Sequence, residues 1–442
     1  MSLPTPTDTV EKLQQSLHAK AKTEPNFRFY SLVDKIYRLD VLKVAYGRCR
    51  ANRGAPGADG ETFEMIEAQG LETWLGLRQK ELREGTYRPQ PLRRVWIPKA
   101  NGEPRPLGIP TIKDRVCQMA AVLIFEPIFE ADFLPSQYGF RPKLGAKMAI
   151  RRVFFHLTQE GRREVVDVDL SDYFNSIPHG PLMKSVSRRV SDGKFLQLLK
   201  SWIEMSVVEE LKTGAKRTTQ AKDEHRSTPQ GSPISPLLAN VYFRRFILAW
   251  KKFGLEQKYD AHIVNYADDF VICTKPGNGE LVMNEMRKLI ERIGLTVNEK
   301  KTRLVTIPVA TFDFLGYTFG QMYRHKGPPF IGTRPSKKSV KRVMDKIHYE
   351  TEVRWVQTPV DKRVLELNRI VRGWSNYFNQ GPVLPTYGKI QKHMERRLRK
   401  WLVRKHKGKG TGYRQYSDEY LYEELGLIKL PISRAGLSRA KA

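Results

Sequence analysis

Two adjacent carboxylates, Asp268 and Asp269, stand between two β-rich apolar runs, Ile263-Val264-Asn265-Tyr266 and Phe270-Val271-Ile272-Cys273. A tight hairpin tip usually carries Asn-Gly or Asp-Gly, and side-by-side negative charges there repel. A divalent cation relieves that repulsion. A third acid, Asp169, closes the run Glu164-Val165-Val166-Asp167-Val168-Asp169-Leu170, whose alternation puts the valines on one face and Asp167 and Asp169 on the other. Strands ending side by side would bring three acids together. Oxygen donors of this kind hold Mg²⁺, and paired ions stabilise the attacking and leaving oxygens of an in-line phosphoryl displacement. The chemistry implied is nucleotidyl transfer. Alternation alone leaves Asp167 and Asp169 equivalent, and an isolated Asp-Asp pair is more often a solvated turn.

Positioning such acids requires a small sheet. Residues 7 to 85 read as helical, broken by the Gly/Pro-rich loop Arg53-Gly54-Ala55-Pro56-Gly57-Ala58-Asp59-Gly60. Arg93 to Lys99 reads as a strand, Ala100-Asn101-Gly102-Glu103 as a hairpin turn, and Pro104 to Pro110 as a return strand that its prolines confine to a sheet edge. Residues 111 to 131 read as helix, 164 to 170 as a strand, and 263 to 273 as a hairpin. A helix is expected at about 279 to 293, then strands at 295 to 297 and 312 to 319. After Pro335 the strands stop and the chain reads as helical and basic, with a break near Gly381-Pro382 and Pro385. Helices segregated from a small sheet predict an α+β fold.

The 442 residues carry 77 Lys+Arg against 47 Asp+Glu, a formal net charge of +30. Such an excess calls for a polyanionic partner and argues against small-molecule metabolism as the main occupation. The charge is uneven: residues 332 to 442 hold 26 Lys+Arg and 10 Asp+Glu, about half of the net charge in a quarter of the chain. With 40% hydrophobic and 10% aromatic residues a buried core is available. Cys49, Cys117 and Cys273 form no close pair, and the His residues form no HExxH or HxxxH cluster, so neither a disulfide framework nor a zinc site is expected. No apolar run reaches the ~20 residues of a membrane span. The N-terminus lacks a secretory pattern and is not Arg-rich enough to argue for a transit peptide, so the chain is expected to work where it is made, in a cytoplasm or, alternatively, an organelle.

Tyr266-Ala267-Asp268-Asp269 resembles the YxDD signature of reverse transcriptases, and Asp169-Leu170-Ser171-Asp172-Tyr173-Phe174 resembles their first metal-binding motif. The resemblance selects Asp169 over Asp167 and implies a metal set of Asp169, the Leu170 carbonyl, Asp268 and Asp269, holding two Mg²⁺ ions, with Mn²⁺ as a substitute. It implies that Phe174 lies under the sugar and favours deoxynucleotides. Lys99 and Arg105 would grip the triphosphate, and Gln230 and Gly231 of Pro229-Gln230-Gly231-Ser232-Pro233 would approach the nucleotide. Lys301 of Asn298-Glu299-Lys300-Lys301-Thr302, with Lys300 the alternative, would protonate pyrophosphate. Leu315 and Gly316 of Phe314-Leu315-Gly316-Tyr317 would form the primer grip, the glycine admitting nucleic acid close to the backbone.

The segments Gly54 to Gly60, Arg105 to Pro110, Gln137-Tyr138-Gly139-Phe140-Arg141-Pro142 and Arg372-Gly373-Trp374-Ser375-Asn376-Tyr377-Phe378 are similar to group II intron-encoded proteins. That resemblance implies a right-hand polymerase: an N-terminal extension at 1–88, fingers and palm at 89–330, a maturase thumb at 331–410 and a short basic DNA-binding-like tail at 411–442. It implies intron RNA, an RNA template with a DNA or RNA primer, dNTPs and target DNA as partners, and no membrane. Asn175 stands where many relatives carry Asp. The last cysteine is Cys273, so no Cys-rich HNH endonuclease domain is expected. In the thumb, Arg396, Arg397, Arg399 and Lys400 are expected on RNA phosphates, and Trp374, Tyr377, Phe378 and Trp401 in the core.

Overall fold

The computed structural model describes residues 5–98, 104–210, 216–219, 225–323 and 327–431. Its strands are β1 (Leu92–Pro98), β2 (Pro104–Ile109), β3 (Glu164–Asp169), β4 (Val207–Glu210), β5 (Lys216–Thr219), β6 (His262–Tyr266), β7 (Asp269–Thr274), β8 (Arg303–Thr306), β9 (Phe312–Phe314), β10 (Tyr317–Met322) and β11 (Phe330–Pro335). They form three small sheets, ordered β2-β1-β4-β5, β6-β7-β3-β8 and β11-β10-β9. Helices make up most of the rest, the α+β arrangement expected. The chain divides into two compact units that are discontinuous in sequence: residues 1–145, 168–272 and 280–303 in the first, and 146–167, 273–279 and 304–442 in the second.

In the first unit the Ile112–Glu130 helix is buried on almost every face. Pro127 lies inside it and has no N–H, so the Leu123 carbonyl loses its helical partner. Gln14, on the Pro6–Thr23 helix, donates Nε2 to that carbonyl at 2.8 Å, and His18 Nδ1 donates to the Pro127 carbonyl at 3.0 Å. The N-terminal helix therefore docks where the proline opened the backbone. The Gly/Pro-rich loop packs beside the same helix: Arg115 donates to the Ala55 carbonyl at 2.7 Å, and a Cβ on Gly57 would stand 2.5 Å from the Thr111 backbone. β1 and β2 pair antiparallel from Arg93↔Ile109 to Pro98↔Pro104, and proline-bearing β2 is an edge strand. The expected Asn101-Gly102 turn lies outside the described residues. All three cysteines are free and buried, and burial pushes the Cys49 and Cys273 thiols up to about 12.

In the second unit the helices Lys337–Glu350, Val360–Tyr377 and Leu384–Lys405 enclose a core that includes Ile347, Leu367, Tyr387, Met394 and Trp401. Leu421, Leu427 and Leu430 complete it. The segment expected to be a basic DNA-binding-like tail is thus, to residue 431, part of this core, and from 411 to 431 it carries Asp418, Glu419, Glu423 and Glu424 against Arg414 and Lys429. Residues 432 to 442 lie outside the described residues. No described helix is long and apolar enough to cross a membrane.

Two strand expectations need correction. Residues 312 to 319 are two strands split by a turn at Leu315-Gly316, and 295 to 297 supplies only a bridge, Val297 to Leu170. The short strands β4, β5, β8 and β11 lacked an alternating pattern long enough to read.

Glu126 is largely buried beside Pro127, and that burial pushes its carboxyl up to about 7 from an ordinary 4.5, with Arg48 opposing and Glu130 reinforcing the rise. The folded chain then holds this proton more tightly than the unfolded chain, so stability falls as pH rises from about 4.5 to about 7. Glu126→Gln should be more stable than the parent at pH 8, on the order of 2 kcal/mol, and equal to it near pH 4. Urea unfolding at the two pH values measures the difference.

Candidate active site

β6 ends at Tyr266 and β7 begins at Asp269, leaving Ala267 and Asp268 as a two-residue hairpin loop. Ala267 has φ +60°, the left-handed conformation that such a turn needs and that normally selects glycine. Its neighbours hold it there. Gly139 lies so close that a Cβ on it would stand 2.4 Å from the Ala267 nitrogen and 2.9 Å from the Tyr266 carbonyl carbon. Tyr138 N–H donates to the Asn265 carbonyl and Asn265 N–H to the Ser136 carbonyl, each at 2.8 Å. Three buried amides close the scaffold: Gln137 Nε2 donates to the Asn240 carbonyl (3.1 Å), Asn240 Nδ2 to the Gly139 carbonyl (2.7 Å) and Asn265 Nδ2 to the Ala267 carbonyl (2.7 Å). None carries charge. Beneath the loop, buried Tyr173 donates to the Ala239 carbonyl at 2.6 Å; burial holds its phenol well above its ordinary pKa, and Tyr242 and Asp268 push the same way.

Asp169 is the last residue of β3, the strand beside β7. Its carboxylate accepts from Asn298 Nδ2 at 3.1 Å and from Lys301 Nζ at 3.2 and 3.3 Å. Its backbone is fixed too: the Asp169 N–H donates to Thr302 Oγ1 at 3.2 Å and its carbonyl accepts the Asn298 N–H at 2.8 Å. The Asn298-to-Thr302 segment therefore wraps Asp169, and Lys301 is the lysine it places there. Among the described residues, no group of three or more His, Cys, Asp or Glu side chains is close enough to hold a metal ion. Asp169, Asp268 and Asp269, expected to converge, are not gathered into such a group: β3, which ends at Asp169, neighbours β7, which begins at Asp269, and Asp169 is engaged by Asn298 and Lys301. The donors themselves, three carboxylates and the Leu170 carbonyl, have the hard oxygen chemistry that suits Mg²⁺.

Arg105 on β2 donates Nε to Gln230 Oε1 at 2.9 Å, and Gly108 N–H donates to the Gln230 carbonyl at 2.9 Å. Gly231 has φ +113°, and a Cβ there would stand 2.5 Å from the Gly108 carbonyl oxygen, so both conformation and space demand glycine. Phe174 is 8% exposed; its carbonyl accepts from Thr228 N–H (2.7 Å) and Oγ1 (3.1 Å), and its ring meets Phe140 edge-on at 6.5 Å. Lys99 lies outside the described residues. Asn175 caps the left-handed Asp172, donating Nδ2 to both carboxylate oxygens at 2.9 Å; an Asp at this position would repel Asp172 instead.

In the second unit, Leu315 (φ +49°) and Gly316 (φ +80°) turn β9 into β10. Both carbonyls are tied down: Tyr377 Oη donates to Leu315 at 2.9 Å, and Ser336 N–H and Ser339 Oγ donate to Gly316 at 2.9 and 3.0 Å. A Cβ on Gly316 would meet Ser339 Oγ at 3.1 Å and the Phe378 ring at 3.2 Å. The glycine thus has an internal reason, beyond the expected approach of nucleic acid. Two of the four expected RNA contacts are also corrected. Arg399 is 1% exposed, donates to the Tyr416 carbonyl at 2.8 Å, pairs with Asp418 and stacks over Tyr413 at 4.4 Å. Arg397 is half-buried and donates to Thr351 Oγ1 (2.9 Å) and to the Thr351 carbonyl (3.0 Å). These two guanidiniums brace the thumb, whereas Arg396 and Lys400 are exposed. Trp401 and Phe378 are buried and Trp374 packs on the core, as expected of the thumb aromatics.

Residues 97–319 match the family model "Reverse transcriptase (RNA-dependent DNA polymerase)". The chain belongs to the reverse transcriptase family. Residues 340–420 match the "Group II intron, maturase-specific domain", placing this reverse transcriptase among the group II intron-encoded reverse transcriptase/maturases. Protein YkfC of Escherichia coli K12 is 33% identical over 366 residues, covering 75% of this chain and 93% of that protein. The group II intron-encoded protein LtrA of Lactococcus lactis is 30% identical over 297 residues, covering 63% of this chain and 45% of LtrA, so the match spans less than half of that relative. A solved Candida albicans telomerase overlaps 81% of this chain and 71% of its own at 13% identity, with a TM-score of 0.43. The fold is the right-hand polymerase class of the family.

The amide scaffold behind the acids was not anticipated. Its signal in the sequence was Asn265, a polar residue centred in an apolar strand run. Arg399→Ala should cost about 2 kcal/mol or more, since it strips a buried guanidinium from its carboxylate and carbonyl partners, whereas Arg396→Ala and Lys400→Ala should stay within about 0.5 kcal/mol. Denaturant midpoints of the three variants measure the contrast.

Proposed function

We propose that this chain is an RNA-directed DNA polymerase that extends a DNA or RNA primer on an RNA template, and that it binds a group II intron RNA to promote splicing and mobility into target DNA. The observation that carries the reading is the seating of Lys301 and Asn298 on Asp169, one strand away from the turn bearing Asp268 and Asp269. A binding module gains nothing from acids set on neighbouring strands in a chain of +30.

Asp169, the Leu170 carbonyl, Asp268 and Asp269 would hold two Mg²⁺ ions, which when bound supply charge stabilisation for attacking and leaving oxygens. Lys301 Nζ stands 3.2 Å from the Asp169 carboxylate, placed to act on departing pyrophosphate. Arg105 and Gln230, already bonded to each other, offer a guanidinium and an amide to the triphosphate of a dNTP. Phe174 is fixed by Thr228 and so can act as a rigid wall under the sugar, disfavouring a 2′-hydroxyl. In the second unit, the clamped Leu315-Gly316 turn serves as the primer grip. Exposed Arg396 and Lys400 contribute RNA phosphate contacts. The bacterial cytoplasm is the proposed compartment, by the bacterial relatives.

Primer extension on an RNA template with dNTPs and Mg²⁺ tests the assignment. The parent should make full-length product, and Asp268→Ala and Asp269→Ala should each lose at least ~10³-fold in rate while keeping their melting temperature. No product from the parent would overturn the polymerase reading and leave RNA binding to be assayed separately.

A further inference from the structure

Within the first unit, away from the residues assigned above, a cavity of about 870 Å³ opens between the Ser235–Lys252 helix, the His179–Ser187 helix with the residues after it, and the end of the Gly279–Arg292 helix. Its charge is one-sided. Among the described residues its lining holds six cationic side chains and one carboxylate, Asp132. That carboxylate already faces Arg189 at 3.1 Å, and Arg189 is itself committed to the N-terminal segment, donating to the Glu24 carbonyl at 3.0 Å and the Phe27 carbonyl at 3.1 Å. Asp132 therefore cannot balance the remaining cations.

Arg244 shows the consequence. Its Nε donates to the Asp132 carbonyl at 2.8 Å, and burial depresses its guanidinium below the ordinary value; Asp132 opposes that, but Arg188 and Arg189 add to it. Like charges are thus held together at a half-buried position, an arrangement that an anion would relieve. Arg188, Lys252 and Arg292 stand exposed around the same cavity. Phe253 is 47% exposed, and the Arg292 guanidinium lies over its ring at 5.4 Å. The cavity wall below is aliphatic, from Val241, Leu248 and Leu289.

A cationic rim over an apolar wall with one open aromatic face fits a ligand that has phosphate at one end and a flat base at the other. An aliphatic carboxylate would leave the aromatic face unused, and a neutral base would leave the cations repelling. We propose that this cavity is a second ligand site, taking a phosphate-bearing nucleotide either free or as one residue of a single RNA strand. Arg188, Arg244 and Lys252 take the phosphate, and Phe253 and Arg292 take the base. The site does not depend on the polymerase assignment, because it uses none of the carboxylates.

Hydrogen exchange of the full chain in EDTA tests it, with ATP in one arm and an unstructured oligouridylate in the other, EDTA removing metal-dependent nucleotide binding elsewhere. Exchange over residues 181–192 and 244–256 should slow in at least one arm; ATP alone identifies a free nucleotide and RNA alone a strand. Arg188→Ala/Lys252→Ala should abolish that protection and weaken binding at least ~10-fold in the responding arm. If RNA responds, the log–log dependence of binding on salt should also flatten by about 0.7, the change for the one RNA phosphate that the variant no longer neutralises. Phe253→Ala should weaken binding with the charge unchanged. Because these side chains are exposed, thermal melting should not move. Absence of protection in both arms, or equal binding by the parent and the double variant, would overturn the proposal.

Discussion

Carboxylates on a tight turn repel one another, and the fold has to hold the backbone of the turn that carries Asp268 and Asp269 in place against that repulsion. It does so with uncharged groups. The backbone of Gly139 presses on Ala267, and amides of Gln137, Asn240 and Asn265 satisfy the carbonyls behind the turn. Each is a buried donor with a defined acceptor, so each fixes geometry at little electrostatic cost to the acids. Ala267 can occupy a left-handed conformation because this packing over-determines it.

The same logic recurs in the remaining motifs. Gly231 is a glycine because the Gly108 carbonyl fills the space its side chain would take, which brings Gln230 against Arg105. Gly316 is a glycine because Ser339 and Phe378 crowd it, and three donors hold the Leu315 and Gly316 carbonyls. Asp169 is held by its side chain as well: at the end of its strand it receives Lys301 and Asn298 directly. Backbone packing and amides thus place the turn, and Asn298 with Lys301 places Asp169.

Much of this was legible in sequence. The alternating run to Asp169, the broken apolar hairpin around Asp268-Asp269 and the proline-marked edge strand each carry a local physical signature that tertiary structure did not override. What escaped was non-local. The pairing of 136–139 with Asn265 joins segments more than a hundred residues apart, and no local pattern encodes it. Arg397 and Arg399 look identical in sequence to exposed Arg396, since a basic helix does not reveal which guanidiniums meet Thr351 or Asp418. The tail after 411 reads as basic only when Arg434, Arg439 and Lys441 are averaged with the acidic, leucine-anchored stretch before them.

If the amide-and-glycine scaffold sets the catalytic geometry of the acids, disturbing it must slow the chemistry without touching charge or substrate. Gly139→Ala does this, because its Cβ must displace the Ala267 backbone. Single-turnover primer extension on an RNA template, run below the variant's melting transition and with template binding measured in parallel, isolates the effect. Template binding should stay within about twofold of the parent while the extension rate falls by about 10²-fold, the scale of an ångström-size misplacement of catalytic groups. An extension rate equal to the parent's would contradict the role given to the scaffold.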